Sequence, residues 1–510
     1  MVSHALTIME LLSRGADDAT ALMAPGRTPL SYAGLRRQAE ATVAQLNAFG
    51  VGHDTPVAIV LPNGPEMASA FVSIAAGATT APLNPAYRRE EFEFYLADLE
   101  ARLLVVQQDD DTPAIAAAEK LGIAVATLHS DDSDPAGMFE LSGDSPAAPV
   151  ETTLGGNASP DDIALVLHTS GTTSRPKIVP LSHRNVCASA ANIAASIELT
   201  SDDRCLNVMP LFHIHGLIAA VLSSLHAGAS ICCTPGFNAL QFFALLQEVE
   251  ATWYTAVPTM HQAILSRAGR NQEIVSAARL RLIRSSSASL PPAVMRDLET
   301  TFDTPVIEAY GMTEAAHQMA CNPLPPRERI PGSVGVAAGP EIAIMSESGT
   351  RLPAGEIGEI VIRGANVTAG YRNNEAANRD AFTDGWFRTG DQGTLDADGY
   401  LRLTGRLKEI INRGGEKISP REVDEVLLEH PNVAQVVTFA VPHAKLGEDV
   451  AAAVVLTDGA NTDDRDIRRF AAERLADFKV PRKVVFLEEI PKGATGKLQR
   501  IGLAEKLGLA

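Results

Sequence analysis

Thr169-Ser170-Gly171-Thr172-Thr173-Ser174-Arg175-Pro176-Lys177 sets five hydroxyls, one glycine and two cations in nine positions after the apolar run IALVL. Exposed amides, hydroxyl donors and fixed positive charge are what holds a polyphosphate. No second glycine precedes the lysine, so this is not a GxxxxGK[ST] loop. On these nine residues alone a solvated Ser/Thr turn stays open as the alternative. Further on, ATWYTAVPTM, LRLIRSSSASL and TPVIEAYGMTE each read as a buried strand ending in small polar residues. In open α/β sheets ligands sit beyond the carboxyl ends of strands, so these ends are expected to converge on one crevice.

The elements that must position these residues follow an α/β rhythm. In the first 150 residues, helical stretches such as LRRQAEATVAQLNAFG and MASAFVSIAAGA alternate with apolar runs such as PVAIVLP and ARLLVVQ, which predicts parallel sheets covered by helices. Residues 107–160 are polar and rich in Pro, Gly and Asp, and are expected to be exposed connections. Ser182 should open a helix after the phosphate-loop candidate. Beyond residue 340, short strands between turns predict a β-rich subdomain. After Arg406 an α+β unit is expected, with helices at Pro420–His430 and Asp463–Leu475. The fold class is therefore α/β, with a large N-terminal body of stacked α/β sheets, a β-rich subdomain and a small α+β C-terminal domain, divided as 1–405 and 406–510.

Composition excludes several classes. A chain of 510 residues holds about three domains of ordinary size. Its 45% hydrophobic and 21% charged residues are those of a globular protein. Forty-three basic against 62 acidic residues leave a net charge of −19, which repels a nucleic-acid backbone. Five cysteines with no C-x-x-C spacing suggest neither a disulfide framework nor a zinc knuckle, and fit a reducing, cytoplasmic setting. The charge-free stretch from Cys205 to Gln247 is broken by prolines and histidines, so no membrane span is expected.

The loop at Thr169–Lys177 resembles the signature loop of the adenylate-forming superfamily of acyl-CoA synthetases, luciferases and peptide-synthetase adenylation domains. The other signatures appear in order: Tyr310-Gly311-Met312-Thr313-Glu314, Thr389-Gly390-Asp391, Gly405-Arg406-Leu407-Lys408, and Pro491 through Lys497. The resemblance covers nearly the whole chain. It implies an ATP-dependent ligase that joins an acid to AMP, releases diphosphate, and passes the acyl group to the thiol of coenzyme A.

Roles follow residue by residue. Thr169, Ser170, Gly171, Thr172, Thr173 and Lys177 would hold the β- and γ-phosphates, Thr313 the α-phosphate and Glu314 a Mg²⁺ ion. Adenine would lie between Ser287-Ala288-Ser289 and Glu308-Ala309-Tyr310, next to Gly311. Asp391 would accept the ribose hydroxyls and Arg406 would contact ribose or phosphate. Lys497 would neutralise the attacked phosphate and the substrate carboxylate. A mobile C-terminal domain would turn about Lys408, bringing Arg413, Gly414, Gly415 and Lys417 to coenzyme A.

The acyl pocket by the same resemblance holds His261, Ser287 and His317, with Arg267 further along the helix from His261; His213 matches a gate to the acyl tunnel, and His215 is expected to be structural. Two imidazoles and a guanidinium suit a second carboxylate on a short acid. RSSSASLPP, EAYGMTEAAHQM, NPLPP and GRLKEIINRGGEKISPREVD resemble the oxalate–CoA ligase branch, so oxalate is the expected acid. Departures are Ser174-Arg175 in the phosphate loop and the final KLGLA, which is not a peroxisomal address. The alternatives are a ligase for malonate, a cinnamate or other aryl acid or a fatty acid, and, in another class, a non-catalytic adenine-nucleotide-binding protein. A monomer or a homodimer is expected.

Overall fold

The computed structural model describes residues 5–143, 155–169, 176–457, 459–491 and 500–510. The described chain separates into two compact units.

The larger unit spans most of residues 1–341 together with Arg363–Asp380. It holds two sheets, of seven and nine strands. In the seven-stranded sheet, Pro56–Val60, Thr79–Pro82, Leu103–Gln107, Ala124–His129 and Ile163–Thr169 run parallel, and the antiparallel strands Glu140–Gly143 and Lys177–Ser182 form the two edges. In the nine-stranded sheet the three expected strands, Trp253–Ala256, Leu282–Ser285 and Val306–Met312, are present and lie adjacent and parallel, followed by antiparallel His317–Cys321. Trp253–Ala256 and Leu282–Ser285 are buried throughout, because helices cover both faces. Leu206, Phe243, Tyr254, Ile264, Ile283 and Leu298 belong to one core beneath these strand ends.

Local sequence sets where helices start. Ser182 caps the helix His183–Ser196 by accepting from the Asn185 amide, and the Asn185 side chain accepts from the Ser182 amide in return. Pro258 opens Pro258–Ala268 at a position whose amide needs no intrahelical partner. The stretch expected as exposed connections needs correction: residues 107–160 contain the helix Pro113–Leu121 and the strands Ala124–His129 and Glu140–Gly143. An alanine-rich helix with Thr112 as cap and left-handed Gly122 as stop lies between the polar segments that dominate the composition.

The second unit consists chiefly of Ile342–Ile362 and Ala381–Ala510. It carries two five-stranded sheets. One pairs Trp386–Leu395 with Gly358–Arg363 and Leu401–Arg406; the other is built on the long hairpin Val433–His443 and Gly447–Leu456. The predicted helices occur at Pro420–Leu428 and Asp464–Ala472, capped by Ser419 and Asp463. The β-rich segment thus groups with the C-terminal segment. Among the described residues, no helix is long and apolar enough to cross a membrane, and all five cysteines are buried and free.

Candidate active site

In the larger unit the phosphate-loop candidate is closed at its base by strand pairing, Thr169 lying opposite Lys177. Ser170, Gly171, Thr172 and Thr173 lie outside the described residues, as does Lys497. The Lys177 ammonium sits 4.2 Å from the centre of the Tyr371 ring, and the Tyr371 hydroxyl donates to Glu314 Oε1 at 2.9 Å. Glu314 is in a single 3₁₀ turn with Thr313. The Thr368 amide donates to its carbonyl, and the Thr368 hydroxyl to that of Pro180. One segment, Thr368–Tyr371, therefore ties the Glu314 turn to the strand that leaves the phosphate loop. Sequence reading missed Tyr371, which lies 57 positions from Glu314.

The two segments expected around adenine are stitched together. Glu308 Oε1 accepts from the Leu290 amide at 2.9 Å, and the Ser286 hydroxyl donates to the Ala309 carbonyl at 2.9 Å. These bonds hold Ser287-Ala288-Ser289 beside Glu308-Ala309-Tyr310. Gly311 follows at a register shift against the neighbouring strand, where a Cβ would meet the His317 carbonyl oxygen at 1.8 Å. Only glycine permits that approach.

Three of the four expected acyl-pocket residues belong to one buried neighbourhood. Ser287, held at φ 72°, bonds to His215 Nδ1 at 3.0 Å, and the His215 and His317 rings are 5.1 Å apart. His317 is also at positive φ, 100°. Two non-glycine residues in this region mark stored backbone strain. His215 opens a π-helical stretch, His215–Leu222, and Gly216 behind it sits where a Cβ would be 2.4 Å from the Pro210 carbonyl. His261 is fully buried, its Nδ1 3.3 Å from the Tyr254 hydroxyl. Burial lowers its pKa to about 4, and burial with the charges of its neighbours holds His215 well below the ordinary range. Both imidazoles are neutral at pH 7.

Arg267 is not part of this cluster. Six residues along the helix turn it about 120° from His261, and its guanidinium bonds to adjacent Ser266. His213 lies against Phe212 with ring centres 4.5 Å apart and the planes tilted by 52°. The cation that does lie in the cluster is Arg284, fully buried on its strand, donating to Thr255 at 3.3 Å and to Gln318 at 2.9 Å. Its sequence, LRLIRSS, gives no signal beyond an arginine in an apolar strand. His215, expected to be structural, is the residue bonded to Ser287.

In the second unit, Asp391 and Arg406 are register partners, with Arg406 Nε 3.1 Å from Asp391 Oδ1. Gly390 at φ 72° lets the chain turn so that the Thr389 hydroxyl accepts from the Asp391 amide. Lys408 is exposed two positions beyond Arg406. Gly414 and Gly415, at φ 62° and 101°, form a two-residue turn between Arg413 and Glu416. Arg413 is paired with buried Asp449 at 2.7 Å, whereas Lys417 is exposed.

A family profile described as AMP-binding enzyme matches residues 12–372, and one described as AMP-binding enzyme C-terminal domain matches residues 422–497. The chain belongs to the AMP-binding enzyme family. It is 46% identical to an oxalate–CoA ligase of Arabidopsis thaliana over 97% of this chain and 96% of that one. It is 42% identical to an oxalate–CoA ligase of Saccharomyces cerevisiae over 88% and 86%. Among solved structures it is similar to ATP-bound MatB from Rhodopseudomonas palustris, with a TM-score of 0.88 at 30% identity and 98% of each chain covered.

Proposed function

We propose that the protein is an oxalate–CoA ligase: oxalate, ATP and coenzyme A give oxalyl-CoA, AMP and diphosphate. Acid–CoA ligation through an adenylate is the activity that its family membership and close relatives support. Oxalate is the narrower reading, and the observation that carries it is half-buried Ser287 joined to neutral, buried His215 beside buried His317. The Ser287 hydroxyl can donate one hydrogen bond to a carboxylate, and the imidazoles beside it make the surroundings polar.

A carboxylate resists attack because its charge and resonance repel a nucleophile. Its oxygen therefore attacks the α-phosphorus of ATP, the bond to the bridging oxygen breaks, and diphosphate leaves with the electron pair. The coenzyme A sulfur then attacks the acyl carbon and AMP departs. Negative charge develops in both steps, so hydroxyls, amides and cations serve better than a protein nucleophile. In this reading Thr313 holds the α-phosphate, Lys177 the outer phosphates, Asp391 and Arg406 the ribose, and Lys408 is the hinge.

Glu314 supplies one hard oxygen suited to Mg²⁺, and among the described residues no group of three His, Cys, Asp or Glu forms a cage. A single carboxylate fits an ion that arrives on the triphosphate and keeps its waters. Tyr371 orients that carboxylate by donating to Oε1. Tyr371→Phe is expected to raise the Mg²⁺ concentration for half-maximal diphosphate release about tenfold, read by titrating Mg²⁺ at saturating ATP. An unchanged Mg²⁺ requirement would remove Tyr371 from this role.

The substrate reading is tested by measuring AMP release from purified protein with ATP, Mg²⁺, coenzyme A and a panel of acids. Oxalate should give the highest kcat/KM against malonate, acetate, cinnamate and octanoate. A higher value for any other acid refutes the assignment.

A further inference from the structure

Arg284 is a fully buried guanidinium with no carboxylate partner among the described residues. Buried arginines are rare and are normally paired with an anion. Here both hydrogen-bond partners are neutral, and burial lowers the pKa to about 10, still charged at pH 7. An isolated charge in this position polarises whatever hydrogen bonds it starts.

The bonds it starts run to Ser287. Arg284 Nη1 lies 3.3 Å from Thr255 Oγ1, Thr255 Oγ1 lies 2.6 Å from His215 Nε2, and His215 Nδ1 lies 3.0 Å from Ser287 Oγ. Donor rules fix the direction. A guanidinium only donates, so Thr255 accepts from Arg284. The Thr255 hydroxyl proton then has a single acceptor among the described residues, His215 Nε2, and a buried hydroxyl left without an acceptor would cost about 1–3 kcal/mol. Neutral His215 with Nε2 accepting must carry its proton on Nδ1, which donates to Ser287 Oγ. The Ser287 oxygen is thereby used as an acceptor, and its own proton has no acceptor among the described residues.

We propose that Arg284 is a positioning residue that orders the protons from itself through Thr255 and His215 to Ser287, so that the Ser287 hydroxyl is presented as a donor to the second carboxylate of the acid. This rests on the oxalate reading above. The left-handed backbone at Ser287 fits the same assignment, since a strained residue persists where its surroundings hold it in place. The histidine does no proton transfer here; it is locked in one tautomer and passes on an orientation. Arg284 carries the positive potential that an incoming dianion meets, while Ser287 makes the contact.

The test uses Thr255→Val, which keeps volume but cannot relay; Thr255→Ser, which can; and Arg284→Gln, which removes the charge. Initial rates of diphosphate release are measured while oxalate and ATP are varied separately. Thr255→Val and Arg284→Gln are expected to raise the KM for oxalate about tenfold or more, shift the KM for ATP less than about twofold, and Thr255→Ser should restore the oxalate value. A KM for oxalate within twofold of the parent in Thr255→Val overturns the relay, whatever Arg284→Gln does to folding. A fall in kcat alone, equal for all acids, marks a structural role and overturns it too. If the parent enzyme prefers an acid without a second carboxylate, the substrate reading falls and the relay with it; if it prefers oxalate and the variants are unaffected, only the relay falls.

Discussion

Lys497→Ala is expected to lower acid-dependent diphosphate release by about 10²–10³-fold, while leaving thioester formation from supplied oxalyl-adenylate and coenzyme A within a few fold. The reason is charge. Bringing a carboxylate to a triphosphate sets two anions against each other, and at about 4 Å their repulsion is worth about 4 kcal/mol in a partly screened site. A lysine between them removes that barrier only while both are present, which is the adenylation step. In the second half-reaction the coenzyme A thiol meets an acyl carbon whose charge is already masked by AMP. The reciprocal variant is Gly414→Leu. Gly414 holds φ 62°, and a Cβ there would already be 3.0 Å from Leu446 Cδ2, so a leucine reshapes the hairpin turn assigned to coenzyme A. It should slow thioester formation more than diphosphate release. The two steps are separable by following labelled diphosphate in one assay and acyl transfer from synthetic adenylate in the other. Equal loss in both assays for both variants would overturn the division of labour.

The parts of this site that were legible are those written in consecutive residues. Short apolar runs ending in Ser, Thr or Gly gave the strands Trp253–Ala256, Leu282–Ser285 and Val306–Met312 and the edge where their ends gather. Thr313-Glu314 and Thr389-Gly390-Asp391 are local turns whose backbone chemistry is contained in three or four residues. The relay is different: His215 meets Thr255 across 40 positions and Ser287 across 72, and Arg284 meets Thr255 across 29. No periodicity encodes those meetings, because they arise from the order of strands in the sheet. Arg284 was also hidden by its type, since an arginine in sequence reads as surface. Arg267 misled for the opposite reason: a shared helix suggested a shared pocket, but helical rotation turns it away from His261. The helix Pro113–Leu121 was obscured because the acidic, proline-rich segments on either side dominate the composition of that region.

Acidification from pH 7 to pH 5 is expected to destabilise the larger unit by about 4 kcal/mol through His183 and His261. Both are buried and both are held to a pKa of about 4, chiefly because the interior disfavours the charged imidazole. In the unfolded chain each would titrate near 6.5. A folded value below the unfolded one means that unfolding takes up a proton as soon as the pH drops under about 6.5. The stabilisation is therefore complete above that pH and is lost as pH falls towards 4. Each group is worth about 3 kcal/mol once pH is below both values, and about 2 of that has gone by pH 5. Ordinary carboxylates are still ionised at pH 5, so the histidines dominate this window. His183 Nδ1 accepts from the Ile8 amide at 3.2 Å, a bond that an asparagine oxygen can replace, so His183→Asn removes the titration with little loss of packing. Urea unfolding at pH 7, 6 and 5 should show the parent losing about 2 kcal/mol more than His183→Asn across the range. Parallel losses in the two proteins would mean that His183 is not neutral in the fold, and the same comparison with His261→Asn would then decide whether burial of His261 has the effect ascribed to it.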